Sequence, residues 1–264
     1  MTTMRTSQPA FYTVLALLFA ASTVITIVWC GSMSAMGYDM RMPGGWTMSM
    51  MWMLMPGQTL TGATASFLGM WLVMMTAMML PSLVPMLIRY RETVDGNGEV
   101  PLGWLTMVVG TGYFFVWSMI GLAVFLLGFK LSEAEMQHSG LSRAVPITTA
   151  LIVLTAGALQ FTTWKAHRLA CCRKLPGASS VLPANTRSAW RHGLRIGRDC
   201  AYCCSGLMLI QVVIGVMDLR LMAVVTAAIT AERLAPASSN IARAIGVVTV
   251  LAGLFLIVRA AGLG

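Results

Sequence analysis

Residues 70–86 read Met70-Trp71-Leu72-Val73-Met74-Met75-Thr76-Ala77-Met78-Met79-Leu80-Pro81-Ser82-Leu83-Val84-Pro85-Met86. The stretch sits in an apolar run that reaches the roughly 20 residues a helix needs to cross about 30 Å of hydrocarbon. On a helix, Met70, Met74 and Met78 form one i, i+4 row, and Met75 and Met79 form a second beside it. Pro81 and Pro85 each remove a backbone donor, which predicts a kink or early unwinding there. Apolar runs at about 11–30, 64–88, 102–128, 144–164, 198–217, 221–234 and 239–261 make the chain an all-α, polytopic transmembrane bundle. It has six or seven helices in a single domain, 1–264, because 221–234 is short for a span. The alternating ~10-residue segments of a membrane barrel are missing.

Composition points the same way: 57% of residues are hydrophobic and only 10% charged, which excludes an ordinary soluble domain. The net charge of +9 is concentrated in residues 165–199, with Lys165, Arg168, Arg173, Lys174, Arg187, Arg191, Arg195 and Arg198. We read that segment as a basic, irregular cytoplasmic loop, so the charge reflects topology and a lipid bilayer rather than nucleic acid. Threading outward places residues 31–63, with Arg41 alone, outside, and 89–101 inside. The N-terminus then lies in the cytoplasm of a multi-pass inner (plasma) membrane protein. The run 11–30 is too long for a signal peptide and no A-x-A site follows, so it is a retained first helix. Asp218-Leu219-Arg220 marks a break before 221–234. If that segment spans, the C-terminus is outside; if not, it is inside.

Sulfur is distributed unevenly along this topology. Of 23 methionines, 15 fall within residues 33–86. The outer loop carries Met33, Met36, Met40, Met42, Met48, Met50, Met51, Met53 and Met55, with Pro43-Gly44-Gly45 and Pro56-Gly57 as turns. Thioethers carry no proton to lose and are ligands for soft ions such as Cu(I). Met33, Met36, Met40, Met48 and Met50 are candidates for metal capture; the alternative is a loop lying on the membrane with Trp46 and Trp52 as interfacial anchors. Met74, Met78 and Met79 are candidates within the helix, where core filling is the competing explanation.

The two cysteine clusters, Cys171-Cys172 and Cys200-x-x-Cys203-Cys204, fall on the reducing side, where thiolates persist. Cys200, Cys203 and Cys204, at i, i+3 and i+4, share one helical face. At the start of a helix beginning near 198, the helix dipole with Arg195 and Arg198 would favour thiolates. His167 and Cys171 are four apart, and Cys172 adds a vicinal thiol. Zinc is compatible with these residues, although no C-x-x-C pair is matched at finger spacing. Asp218 and Glu232 lie next to Arg220 and Arg233, as ion pairs or as transport residues. Gln160, Tyr113 and Trp117 are candidates to satisfy one another inside the bundle. His138, His167 and His192 all fall in expected loops, which argues against a haem held between helices. No Walker loop, nucleophile elbow or dinucleotide fingerprint is present, and no residue is assigned a catalytic role.

Three stretches together resemble a bacterial family of predicted metal-binding integral membrane proteins, sometimes labelled membrane copper chaperones. They are Trp71-x-x-Met74-x-x-Ala77-Met78-Met79-x-Pro81; Ala156-Gly157-Ala158-Leu159-Gln160 continuing through Lys165 to Cys172-Arg173; and Gly197-x-x-Cys200-x-x-Cys203-Cys204-x-x-Leu207-Met208, continuing through Gly215-Val216-Met217 to Met222-Ala223 and Glu232. The family pattern has two cysteines in the second stretch, whereas here Arg168 stands at the first and Cys172 at the second. Ser205 replaces an aromatic, and Met217-Asp218 stands for Met-Asn. The resemblance implies metal binding in a membrane. The leading expectation is therefore a Cu(I)-handling membrane protein that captures, transfers or delivers copper to a soluble or membrane partner. Two alternatives stand beside it: a non-transporting subunit or anchor of an oxidoreductase or other complex, and a small-solute transporter using Asp218 and Glu232.

Overall fold

The computed structural model describes residues 2–35, 39–41, 46–53, 57–94, 100–173, 183–235 and 238–262. Among them are eight α-helices: α1 (Thr2–Ala35), α2 (Leu60–Thr93), α3 (Leu102–Gln137), α4 (Ser139–Leu159), α5 (Thr163–Arg173), α6 (Thr186–Ile214), α7 (Leu219–Leu234) and α8 (Ser238–Ala260). One short antiparallel hairpin, β1 (Asp39–Arg41) with β2 (Thr47–Ser49), lies between α1 and α2 and pairs Met40 with Met48. All helices except α5 and α7 are long and apolar enough to cross a membrane. The architecture is the all-α bundle that the apolar runs imply.

The largest departure from expectation concerns residues 165–199. The described residues of this segment are largely helical: α5 runs to Arg173 and α6 already begins at Thr186, while 174–182 lie outside the described residues. Arg187, Arg191, Arg195 and Arg198 recur every three or four residues and are exposed, while Ala189, His192, Gly193, Gly197 and Cys200 are buried. The basic stripe is thus one face of an amphipathic helix. Asn185 caps it, its Oδ1 accepting from Ser188 N at 2.7 Å. The run expected at 144–164 is two helices, because tight turns at Gln160, Phe161 and Thr162 end α4, and Thr162 Oγ1 accepts from Lys165 N at the start of α5. Conversely, α2 continues through Pro81 and Pro85 to Thr93. Neighbouring helices hold a span through missing backbone bonds in this way.

Glycine sets how closely the helices approach. A Cβ on Gly193 of α6 would stand 2.3 Å from Val109 O of α3, and one on Gly112 of α3 would stand 2.9 Å from Trp190 O of α6. Gly193 and Gly197 are four apart, so α3 and α6 touch backbone to backbone along a small-residue stripe. α4 and α8 meet likewise, Gly157 against Val250 and Gly253 against Leu154. These pairings make α3 and α6 parallel and α4 and α8 antiparallel.

The contacts define two ends of the bundle. Cys30 of α1, Met70 and Met74 of α2 and Met217, just before α7, meet at one end. Arg233 of α7 reaches Ser82 and Met86 of α2 toward the other. Met70 to Met86 and Met217 to Arg233 are each separated by 16 steps, about 24 Å of helix, so α2 and α7 run side by side in the same direction. α7 therefore returns the chain from the end of α6 to the start of α8, although its 16 residues fall short of an ordinary span.

Candidate metal centre

The third stretch of the sequence lies in the middle of α6. Because α6 begins at Thr186, Cys200 is four turns inside the helix, and its thiol does not face a helix N-terminus. Arg195 is exposed, and Arg198 turns to Asp199 at 3.5 Å. The cation at the cysteines is instead Arg233 of α7. Its Nη1 donates to Cys200 Sγ and to Ser82 Oγ, each at 2.9 Å, and its Nη2 donates to Met86 Sδ at 3.1 Å. Tyr113 Oη and Cys200 Sγ share a hydrogen bond at 3.1 Å. The close approach of α3 at Gly197, where a Cβ would stand 3.0 Å from Tyr113 O, places that phenol.

The other cysteines gather round this point. Cys200, Cys203 and Cys204 are buried with at most 1% exposure, and Cys172 is buried beside them. Cys204 Sγ donates to Cys200 O and Cys172 Sγ to Asp199 O, each at 3.0 Å. Cys172 also hydrogen-bonds Cys203; that bond first, and burial second, push the Cys172 thiol well above its ordinary range. The Arg233 guanidinium is buried, and it faces Cys200 with Tyr113 at the same sulfur. Arg233 is a fixed cation.

Beneath the cluster, Lys165 Nζ lies 2.8 Å from Glu232 Oε2, with both side chains buried, and donates to Cys203 O at 2.7 Å. This ion pair ties α5, α6 and α7 together. Glu232 therefore pairs with Lys165 and not with its neighbour Arg233. Asp218 is exposed and caps α7, its Oδ1 accepting from Arg220 N and Leu221 N.

The remaining expected residues divide. Met70, Met74, Met75, Met78 and Met79 are all buried along α2, with Met86 two turns further on at Arg233. Cys171 and His167 do not join the cluster: Cys171 is exposed on the far side of α5, 3.5 Å from His167 Nε2. Met33 is half-buried at the end of α1. Met36 lies outside the described residues, and for Met40, Met48 and Met50 the backbone alone is described. Trp46 and Trp52 are half-buried and make contacts within the bundle. Trp46 Nε1 donates to Ser142 O, and Trp52 packs on Gly128 and accepts at its carbonyl from Ser132 Oγ, so both residues dock on α3 and α4.

Gln160, Tyr113 and Trp117 do not satisfy one another. Tyr113 goes to Cys200, Trp117 O accepts from Trp71 Nε1, and Gln160 Oε1 has no hydrogen bond. His167 and His192 are helical, in α5 and α6, with His192 stacked on Tyr90. Sequence reasoning missed Arg233, Ser82, Met86 and Tyr113 as members of the site. An arginine inside an apolar helix, one residue after a buried glutamate, is the signal that would have found the first. Among the described residues, no three His, Cys, Asp or Glu side chains are grouped closely enough to hold an ion as they stand. The arrangement is one of thiols turned onto polypeptide partners around a cation, and it can exchange those hydrogen bonds for sulfur–metal bonds.

A family model described as copper chaperone (PpoB2) matches residues 68–256. Searches of curated proteins and of solved structures returned no match.

Proposed function

The chain belongs to the copper chaperone family, and from that premise we propose that it is a multi-pass inner-membrane protein whose cargo is Cu(I), held at Cys200, Cys203, Cys204 and Cys172. The observation that carries the reading is a buried knot of thiols around the Arg233 guanidinium, with the Met86 thioether in the same shell. Thiolates and thioethers select soft ions. Charge explains the arginine. Cu(I) bound by two thiolates carries a net charge of −1, which is costly to bury alone. Arg233 neutralises that charge, and the Lys165–Glu232 pair beside it is neutral as a unit.

The methionines of α2 supply the approach. They continue the buried sulfur from Met86 back toward the Met-rich end, and every one of them lies within the matched residues. With the positive-inside orientation, copper captured at residues 33–55 would be exchanged with the cytoplasmic-side cysteines or a partner protein.

The test is anaerobic Cu(I) titration of the detergent-purified chain against a chromogenic Cu(I) chelator, with Zn(II) titrated in parallel. We expect the C200A/C203A variant to lose one equivalent of tightly bound Cu(I) relative to the unaltered chain. Equal copper in both, or preferential zinc binding, overturns the proposal.

A further inference from the structure

The bundle contains a second grouping of sulfur at its other end, about 24 Å along α2 from Met86. Cys30 from the last turns of α1, Met70 and Met74 from α2, and Met217 from the turn between α6 and α7 line one small cavity of about 10 Å³. Cys30 Sγ lies 3.7 Å from Met217 Sδ. Cys30, Met70 and Met74 are all buried. We propose that these four residues form a second Cu(I) site, distinct from the cysteine cluster. The inference rests on the copper reading above and extends it to residues that reading does not use.

Three physical facts favour an ion here over packing alone. The first is size. About 10 Å³ is the scale of one water-sized sphere, but a water needs two to four polar partners. Of the lining side chains, Thr26 already donates its hydroxyl to Ser22 O at 2.8 Å, and the others are Trp29, Val73 and the four sulfur residues. The cavity accommodates a bare ion, not a hydrated one. The second is distance. Two sulfurs 3.7 Å apart, each about 2.3 Å from a shared ion, subtend about 107° there, close to the tetrahedral angle. The third is charge. Cu(I) displaces the Cys30 thiol proton, which leaves to solvent, and forms one sulfur–copper bond. One thiolate and three neutral thioethers around Cu(I) sum to zero, so the site needs no second charged residue inside the bilayer. The cysteine cluster, with more thiols, has Arg233; this site has no cation among its lining residues and needs none.

The experiment loads the purified full chain anaerobically with Cu(I) alone and reads stoichiometry, chelator competition and the copper X-ray absorption shell. We expect the C200A/C203A variant to retain one Cu(I) with a sulfur-only shell. Adding C30A removes that ion, and adding M217L weakens it at least tenfold. Leu fills nearly the volume of Met, so M217L tests the site even where C30A fails to fold. Folded C30A and M217L chains that bind copper with unaltered stoichiometry and affinity overturn the second site. So does a C200A/C203A chain that binds none while the unaltered chain binds copper. An unaltered chain that binds no Cu(I) overturns this site together with the proposed function.

Discussion

Replacing Gly193 with alanine tests whether the cysteine cluster depends on backbone contact between α3 and α6. An added Cβ stands 2.3 Å from Val109 O. Carbon–oxygen contacts settle at about 3.3–3.6 Å, so the two helices must part by about 1 Å. The obstructing atom is a helical carbonyl, which cannot rotate away. Overpacking of this kind costs about 1–3 kcal/mol. A gap of that width also forfeits a quarter to a half of the dispersion energy at neighbouring atoms. It carries Tyr113 Oη, now 3.1 Å from Cys200 Sγ, out of hydrogen-bond reach, at about 1 kcal/mol. Alanine's better helix propensity returns about 1 kcal/mol. The net is a loss on the order of 2 kcal/mol, or about 4–8 °C in melting temperature for a chain of this size.

The control is on the same helix pair. Gly110 of α3 is two residues from Gly112, on another side of the helix, and a Cβ there meets nothing within 4 Å. G110A should leave the melting temperature unchanged or raise it. Thermal unfolding in detergent, followed by tryptophan fluorescence, reads both variants, and copper competition reads the site. A G193A chain as stable as G110A, with unaltered Cu(I) affinity, refutes the claim that close helix contact positions Tyr113 and Cys200.

Two further outcomes follow from the charges. K165M strands a buried Glu232 and should cost about 3–5 kcal/mol, whereas K165M/E232M, which removes both charges, should recover most of that; a double variant no more stable than the single one in thermal unfolding would sink the ion-pair account. R233M should weaken Cu(I) binding about 10–100-fold in chelator competition, as loss of an outer-sphere partner does, with R233K falling between. Tighter binding by R233M would mean that the guanidinium competes with copper for Cys200 instead of balancing its charge.

The helices were legible wherever apolar runs were uninterrupted, because burial in lipid leaves composition as a direct signal. α2 and its methionine rows follow from period alone. α6 reads short because four arginines within twelve residues look like a loop. Yet their spacing, at 187, 191, 195 and 198, already places them on one helical face. The cysteine face at 200, 203 and 204 was legible for the same reason. The partners of that face were not, since Arg233 lies 33 residues from Cys200, Glu232 67 from Lys165 and Met217 187 from Cys30. Nothing local in a sequence fixes such pairings. They follow from the packing of the whole bundle, which brings α7 against α2, α5 and α6. Cys171 and Cys172 show the limit most sharply: adjacent in sequence and about 100° apart on α5, one is exposed and the other buried, and only Cys172 reaches the cluster.

The two sulfur groupings differ in how they would carry charge, and that difference gives the methionine rows of α2 their meaning. A thiolate cancels the charge of Cu(I) at either end, with Cys30 near one and the Cys200 group near the other. Between them, Met75, Met78 and Met79 offer only neutral thioethers in a dry interior. An ion there keeps its full positive charge in a medium that penalises it. The ends are therefore wells and the middle a barrier, lowered by soft ligands but not abolished. Leucine in the same rows would pack as well and leave the barrier higher. On this account the methionines contribute to exchange between the two ends more than to affinity at either, and the thiols with Arg233 set where copper rests.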